Sequence, residues 1–314
     1  MKKMLSFVIP CYGSELTIDS VISEINSIVS ERPEYSYEII CVNDCSPDNV
    51  IERLKGLVSR QSNVIVVDLA KNSGKHAAVM AGYSQVSGDY IINLDDDGQC
   101  PMDRLWSLIA ELENGRDVIF AQYYIKKQSA FKNFGSNINN YMSRIFFNKP
   151  KNLRFENFSA AKRFIINEIL KYKNPFPYLE GLYLRTTRNI SAIKMEQRER
   201  SSGAGMFSFR KSISLWLNGF TAFSVKPLEI AIIIGFFVSF SGFFFALFLI
   251  IRRFFMSYLI PGYSSLMAAF LFLSGVIMIM LGLIGEYIGR MYISINSSPQ
   301  YVIRNVYRSE EVRR

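Results

Sequence analysis

The stretch Tyr90-Ile91-Ile92-Asn93-Leu94-Asp95-Asp96-Asp97 joins a short apolar run to three consecutive carboxylates. The apolar run predicts a buried β-strand, with the acids at the point where that strand ends. Three like charges repel one another, so the cluster is costly unless a cation lies between them. Carboxylate oxygens are the ligands that Mg²⁺ and Mn²⁺ prefer, and these ions in turn bind diphosphates. The stretch therefore predicts a metal–diphosphate site at the end of a strand.

Short apolar or β-branched runs recur through the first 122 residues. They predict strands at residues 5–11, 37–42, 63–69, 89–94 and 117–121. The segments between them have apolar residues at helical spacing, as from Leu16 to Val29. Strands that alternate with helices predict an α/β fold with a mostly parallel, Rossmann-like sheet and helices on both faces. Residues 123–200 are less regular, with helices predicted at 132–147 and 164–170.

Polar or turn residues follow four of the predicted strands. They occupy residues 10–15, 43–48, 71–75 and 95–97. In open α/β sheets, ligands bind outside the carboxyl ends of the strands. Four such ends on one edge of a sheet predict a nucleotide-sized site, although a single polar strand end would carry no information.

Two long apolar segments lie near the end of the chain. The 22 residues from Ile230 to Ile251 carry no charge, and a second uncharged stretch lies between Arg253 and Glu286. A helix needs about 20 apolar residues to cross the hydrocarbon core, so these segments predict spans near 228–251 and 263–285. The alternative is a pair of buried core helices. Residues 208–224 have the pattern of a helix in the headgroup plane, or of an ordinary amphipathic helix.

The net charge of +9 is unevenly distributed. Residues 121–226 are strongly basic and lead into the first apolar segment, where anionic headgroups attract Lys and Arg. No nucleic-acid motif accompanies the charge, so a nucleic-acid partner is not expected. Four cysteines and one histidine form no zinc pattern. We divide the chain into a cytosolic catalytic domain (1–207), an interfacial helix (208–226), two transmembrane helices (227–290) and a cytosolic tail (291–314). Residues 299–303 of the tail could form a short strand that docks on the cytosolic domain.

The polar strand ends also form a set of motifs. In order, these are Val8-Ile9-Pro10-Cys11-Tyr12, the segment 42–48, Asn72-Ser73-Gly74-Lys75, and 94–99 followed by Pro101. They resemble family 2 glycosyltransferases of the GT-A fold. The segments 200–203, 209–211, 223–228 and 285–290 are similar to one branch, the polyprenyl-phosphate glycosyltransferases. That branch includes dolichol-phosphate mannose synthase and bacterial undecaprenyl-phosphate sugar transferases.

The resemblance implies a role for each matching residue. Asp95 and Asp97 would hold Mg²⁺ or Mn²⁺ on the diphosphate, Gln99 would lie beside them, and Arg200 would face the acceptor phosphate. Asp97, Gln99 and Arg200 are thus the candidate catalytic residues. The donor would contact Asp95 and the residues Pro10, Tyr12, Glu15, Asp44 and Lys75, with Asp44 accepting a hydrogen bond from the base. For Lys75 and Arg200 a solvated surface charge is the alternative, and for Asp44 the alternative is an Asx turn after the strand. Asp96 is expected to face solvent, and His76 is interpreted as a helix-surface or packing residue.

One departure from the resemblance concerns the catalytic base. Residues 155–159 replace a stretch where many relatives place an aspartate, which leaves Glu156 and Glu180 as base candidates. A phosphate monoester has a second pKa of about 6 and attacks without a base, whereas an alcohol needs one. The departure therefore favours a phosphate acceptor.

The resemblance implies an inverting enzyme of the bacterial inner membrane that moves a sugar from a UDP-sugar to undecaprenyl phosphate. The product would serve cell-surface polysaccharide or lipid modification. Two alternatives are a transferase that extends a lipid-linked glycan or glycolipid hydroxyl, and a non-catalytic membrane scaffold. Gly235 and Gly242 would allow close helix approach in a homo-oligomer.

Overall fold

A computed structural model describes residues 2–123, 153, 155–196, 198, 226–255, 262–296 and 298–309. The chain divides into two compact units, Met1–Gly219 with Ser297–Arg314, and Phe220–Asn296. The helices predicted at 132–147 and 208–224 lie outside the described residues.

The first unit is built on one sheet with eight described strands in the order β7-β5-β6-β4-β1-β2-β3-β8. The strands are β1 Lys3–Cys11, β2 Tyr35–Asn43, β3 Val64–Leu69, β4 Tyr90–Asn93, β5 Val118–Tyr123, β6 Ser159–Lys162, β7 Ile190–Met195 and β8 Ile303–Tyr307. β1 pairs in parallel with β2 and β4, as does β2 with β3 and β5 with β7. β6 and β8 pair antiparallel with their neighbours. The predicted α/β sheet is thus confirmed, with antiparallel additions.

Helices connect the strands of this unit. They are α1 Ile18–Ser30, α2 Val50–Val58, α3 Lys75–Tyr83, a 3₁₀ turn Met102–Arg104, α4 Leu105–Glu113, α5 Arg163–Ile169 and α6 Leu179–Thr186. The buried face of α1 consists of Ile18, Val21, Ile22, Ile25 and Val29, at the spacing expected of a helix against a sheet. Leu16, which the spacing placed on that face, is 81% exposed because α1 begins only at Ile18.

Two strands and one helix were not predicted. β6 has only four residues, β7 shows no buried alternation, and α6 has only eight residues, so none carries a clear periodicity. β6 nevertheless lies at the centre of the site, because it pairs with β4 in the register Asn93↔Ser159. Sheet pairing, rather than local pattern, positions this segment.

The tail returns to the first unit as an edge strand. β8 pairs with β3, and the Arg304 guanidinium donates to the buried Asp68 carboxylate at 3.3 Å. Asp68 also accepts a hydrogen bond from the Asn43 amide at 2.7 Å, so its buried charge is paired and hydrogen-bonded. The tail strand therefore covers an edge of the sheet that would otherwise be open.

Helix α3 packs very closely on the sheet at Gly82. A Cβ added there would lie 2.5 Å from Cγ1 of Val8 and 3.1 Å from Cγ2 of Val42. Gly82→Ala is therefore expected to lower the free energy of unfolding by about 1–3 kcal/mol through overpacking. The matched control is Gly56→Ala in α2, where nothing lies within 4 Å. Higher helix propensity should raise stability there by about 0.5–1 kcal/mol. Melting temperatures in detergent should shift in opposite directions, and a shared direction would contradict the close packing.

The second unit contains two helices, α7 Lys226–Phe255 and α8 Tyr263–Ile295. Among the described residues, one segment is long and apolar enough to cross a membrane, Phe272–Ile295 in α8. The apolar stretch recognised in α7 is shorter, Ala231–Phe245, so a span there stays a prediction. A Cβ on Gly235 would lie 2.9 Å from Cε of Met280, so this glycine already serves the contact between α7 and α8.

Candidate active site

The site forms where β1, β2 and β4 end at the same edge of the sheet. The backbone N–H of Tyr12, after β1, donates to Oδ2 of Asp96, after β4, at 3.0 Å. The N–H of Asp44, after β2, donates to the carbonyl of Cys11 at 3.1 Å. Three of the predicted polar strand ends are thus joined directly.

Asp96 does not face solvent, so that expectation was wrong. Its carboxylate is partly buried between the β4 and β1 loops, where it accepts the Tyr12 N–H. Burial raises the pKa of Asp96 to about 6, and the Tyr12 N–H opposes that shift. The middle carboxylate therefore links two loops of the site, and the outer two are left as candidate metal ligands.

Asp95 is held between two side chains from distant parts of the chain. The Lys75 ammonium group forms an ion pair with Oδ1 of Asp95. The Asn157 amide donates to Oδ2 at 2.7 Å. Lys75 begins α3, and Asn157 lies two residues before β6. Sequence reasoning did not predict Asn157 as a site residue. The only signal was that residues 155–159 depart from the family pattern.

Asp97 and Gln99 belong to the loop that follows. Oδ1 of Asp97 accepts the backbone N–H of Gln99 at 3.1 Å. The Gln99 side chain donates to the carbonyl of Arg198 at 3.2 Å, and the Arg198 N–H donates back to the carbonyl of Gln99 at 3.2 Å. Gln99 therefore holds residue 198 against the loop of residues 95–99, which we call the acidic loop. Arg200, two residues further on, lies outside the described residues.

Arg198 is a second residue that sequence reasoning did not assign. Its guanidinium pairs with Glu24 of α1 and Asp103 of the 3₁₀ turn. Partial burial lowers the pKa of Arg198, but the Glu24 and Asp103 carboxylates together outweigh it, so the pKa is raised. Arg198 is thus held by the two hydrogen bonds between its backbone and Gln99 and by two ion pairs.

The Asp44 carboxylate already accepts hydrogen bonds from the backbone of a neighbouring loop. Its two carboxylate oxygens accept the backbone N–H groups of Ser73, at 2.6 Å, and Gly74, at 2.9 Å. Burial raises the pKa of Asp44, and the two N–H groups oppose that shift. Asp44 therefore shapes the loop before α3, and the hydrogen bond from a nucleoside base stays a prediction.

Glu15 joins the loops after β1 and β2. Its N–H donates to Asp48 at 2.8 Å, and its carboxylate accepts the N–H of Asn49 at 3.2 Å. Tyr12 is 40% exposed beside these loops, as a residue that stacks on a ligand would be. Their predicted contacts with a nucleoside are compatible with these positions, which the structure by itself does not test.

A cavity of ≈ 40 Å³ adjoins Asp95. It is lined by Pro10, Lys75, His76, Val79, Asn93, Leu94, Asp95, Phe120, Glu156, Asn157, Ser159, Leu179, Glu180 and Tyr183. Both base candidates, Glu156 and Glu180, therefore face the same space as Asp95. His76 packs on the Tyr178 ring at 5.7 Å, and burial lowers its pKa. The contact between the His76 and Tyr178 rings agrees with the packing role predicted for His76.

The donor set at the acidic loop fits a hard divalent cation. Asp95 and Asp97 supply carboxylate oxygens, and Mg²⁺ sites typically use one or two carboxylates together with waters and substrate phosphates. In the part of the chain that the structure describes, no group of three or more His, Cys, Asp or Glu side chains is placed to hold a metal. A metal held here would therefore take its remaining ligands from water and from a bound diphosphate.

The fold resembles that of solved glycosyltransferases. The glucosyl-3-phosphoglycerate synthase of Mycobacterium tuberculosis, in complex with Mn²⁺ and uridine-diphosphate-glucose, superposes with a TM-score of 0.50 at 16% identity. The match covers 70% of this chain and 77% of that one. At this identity the similarity shows the fold alone. The sheet and the position of its acidic loop define a protein of the GT-A fold.

Sequence comparison gives the family. Residues 6–170, more than half of the chain, match the model described as Glycosyl transferase family 2, and residues 226–291 match the model described as GtrB C-terminal hairpin. The chain therefore belongs to glycosyl transferase family 2, and it is a glycosyltransferase.

Two full-length relatives support this assignment. The undecaprenyl-phosphate 4-deoxy-4-formamido-L-arabinose transferase of Yersinia enterocolitica is 31% identical over 312 residues, covering 98% of this chain and 95% of the relative. The Bacillus subtilis protein named Uncharacterized glycosyltransferase YkcC is 29% identical over 317 residues, with coverages of 98% and 95%.

Proposed function

We propose that this glycosyltransferase moves a sugar from a UDP-sugar to undecaprenyl phosphate, with inversion at the anomeric carbon. The observation that carries the proposal is the acidic loop at the carboxyl ends of β1, β2 and β4, with Lys75 and Asn157 on Asp95. The Yersinia relative, whose name includes undecaprenyl phosphate, aligns over 98% of this chain and supports the acceptor.

Asp95 and Asp97 would hold Mg²⁺ or Mn²⁺ against the donor diphosphate. When bound, the ion neutralises the negative charge that develops on the departing diphosphate. The Mycobacterium synthase was crystallised with Mn²⁺ and a UDP-sugar, which supports both assignments for this chain. Asn157 keeps Asp95 oriented through its 2.7 Å hydrogen bond, and Asp96 fixes the loop on Tyr12.

Lys75 has a double role in this proposal. Without donor it neutralises Asp95, and on donor binding its ammonium group contacts the diphosphate. It is the first residue of α3, and the loop before it is shaped by Asp44. Helix N-termini attract anions, which adds to the charge of Lys75.

The acceptor assignment agrees with the chemistry at residue 157. Asn157, on the Asp95 carboxylate, has an amide that cannot accept a proton as a general base. An ionised phosphate needs no base, since its second pKa is about 6. Arg200 would bind that phosphate bidentately, and Gln99 and Arg198 fasten the chain two residues before it.

The helices α7 and α8 would anchor the enzyme as a hairpin in the bacterial inner membrane, with catalytic unit and tail on the cytosolic side. Segment Phe272–Ile295 and the hairpin family match support this anchor. A homo-oligomer formed through the hairpin would use Gly242, because a Cβ added there would meet no atom within 4 Å. Gly235 is already used within the hairpin, where it lies against Met280.

The test is a donor screen on the purified full-length protein with undecaprenyl phosphate and Mn²⁺. We expect one UDP-sugar to give a lipid product whose mass equals undecaprenyl phosphate plus one sugar. Mild acid should release that sugar, because a glycosyl phosphodiester is labile. A product formed only on a glycolipid or lipid-linked glycan, and stable to mild acid, would favour extension of a hydroxyl acceptor. No product with any donor would contradict the proposal.

A further inference from the structure

Unpartnered buried polar atoms concentrate on residues that line the cavity beside Asp95. Among the described residues, five buried side-chain polar atoms lack a hydrogen-bond partner. Three of them belong to residues that line this cavity, namely Nδ1 of His76, Oδ1 of Asn93 and Oε2 of Glu180. Buried polar atoms in proteins are nearly always hydrogen-bonded, so three orphans around one space need an explanation.

A hydrogen-bond network joins β4 to the two helices, α3 and α6, that carry His76 and Glu180. The Asn93 amide group donates to the hydroxyls of Tyr83 in α3 and Tyr183 in α6. Those two tyrosine hydroxyls are also hydrogen-bonded to each other. Glu180 lies one helical turn before Tyr183 in α6, and His76 lies near the start of α3. The network thus holds both helices at the cavity, while one polar atom of each residue is left without a partner.

The hydrogen-bonding capacity of the three unpartnered atoms indicates which kind of ligand they would bind. Oδ1 of Asn93 accepts hydrogen bonds, as does a carboxylate oxygen such as Oε2 of Glu180, and Nδ1 of His76 donates or accepts according to its tautomer. Acceptors repel a phosphate and bind hydroxyl groups. The cavity, at ≈ 40 Å³, has room for about three water molecules, so it would receive one edge of a sugar ring. Asp95 in its wall places that edge beside the proposed diphosphate site.

We infer that His76 and Glu180 bind hydroxyl groups of the transferred sugar and select which sugar the enzyme uses. The inference rests on the proposed function, since it requires a donor diphosphate at Asp95 and Asp97. Both orphan atoms are fully covered in the ligand-free chain. The Tyr178 ring packs on the His76 ring, with 5.7 Å between the ring centroids.

The experiment measures binding of UDP, UDP-glucose, UDP-galactose and UDP-N-acetylglucosamine to the full-length protein with Mn²⁺, by calorimetry. The variants are Glu180→Gln and His76→Phe, and the control is Glu168→Gln, an exposed glutamate of α5 that pairs with Lys171. We expect the wild type to bind one UDP-sugar more tightly than UDP. Each variant should reduce that preference about tenfold and leave the affinity for UDP within twofold. The control should change neither.

Thermal melting adds a readout that a purely structural role would not give. An orphaned buried atom destabilises the fold, so Glu180→Gln should leave the melting temperature unchanged or raise it. An unchanged sugar preference in both variants, with UDP binding intact, would overturn the inference and leave the proposed function standing. Equal losses of UDP and UDP-sugar affinity would also overturn it. A wild type that binds none of the four probes would instead contradict the proposed function.

Discussion

Asp97→Asn is expected to reduce sugar transfer by at least about 10²-fold, because the substitution removes one of the two negative charges that would hold the metal on the diphosphate. The asparagine oxygen can still accept the Gln99 N–H that Oδ1 of Asp97 accepts now, so the loop should keep its shape. The measurement is the initial rate of lipid-product formation across a range of Mn²⁺ concentrations, together with the melting temperature.

The matched control is Asp89→Asn, at the opposite end of the same strand β4. Asp89 is exposed, and its Oδ2 accepts the N–H of Met4 at 2.9 Å, a bond that asparagine can also accept. Its rate should stay within twofold of the wild type. Full transfer by the Asp97→Asn enzyme would contradict the assignment of this carboxylate. So would an equal loss in the control, because the effect would then not be specific to the acidic loop.

Lys75→Met is expected to change two quantities in opposite directions. Transfer should fall by about 10- to 10²-fold, because the diphosphate loses a charge-assisted hydrogen bond. Binding of Mn²⁺ in the absence of nucleotide should tighten by about two- to fivefold, since Asp95 is no longer neutralised by a partly exposed ion pair. Transfer is measured as lipid product, and free Mn²⁺ by electron paramagnetic resonance.

Lys71→Met serves as the control for the second prediction. Lys71 is exposed in the same loop before α3, so its replacement removes an equal charge without breaking the pair on Asp95. Both quantities should stay within twofold in this variant. Weaker Mn²⁺ binding in Lys75→Met would mean that Lys75 supports the metal site, which contradicts the competition inferred from the ion pair.

Much of the fold could be predicted because its signals are local. The first five strands begin and end within two residues of their predicted bounds, since each is a compact apolar run between turns. Their polar ends meet at one edge because parallel strands point the same way, and the contacts of Tyr12 with Asp96 and Asp44 with Cys11 confirm that meeting. The family resemblance carried by these motifs is confirmed by the family match over residues 6–170.

The candidate site was only partly predictable from the same signals. Asp96 was expected in solvent because a charged residue in a loop usually is, yet the neighbouring β1 loop covers it and supplies an N–H. Asp44 was assigned to a ligand, whereas both of its oxygens already bind the loop before α3. In both cases the partner is a backbone N–H group, which every residue except proline carries. The residue types along the chain therefore do not predict these two contacts.

The sequence by itself determined the α/β class, the acidic loop and the apolar C-terminal segments, because periodicity, charge and length act within a few residues along the chain. Only the tertiary structure decided that Asn157 and Lys75 hold Asp95, that Gln99 fastens residue 198, and that His76 and Glu180 share one cavity. Those partners are separated by 62, 20, 99 and 104 positions. Strand pairing and helix packing bring these partners together. No local pattern in the sequence encodes the register of β6 on β4 or the position of α6.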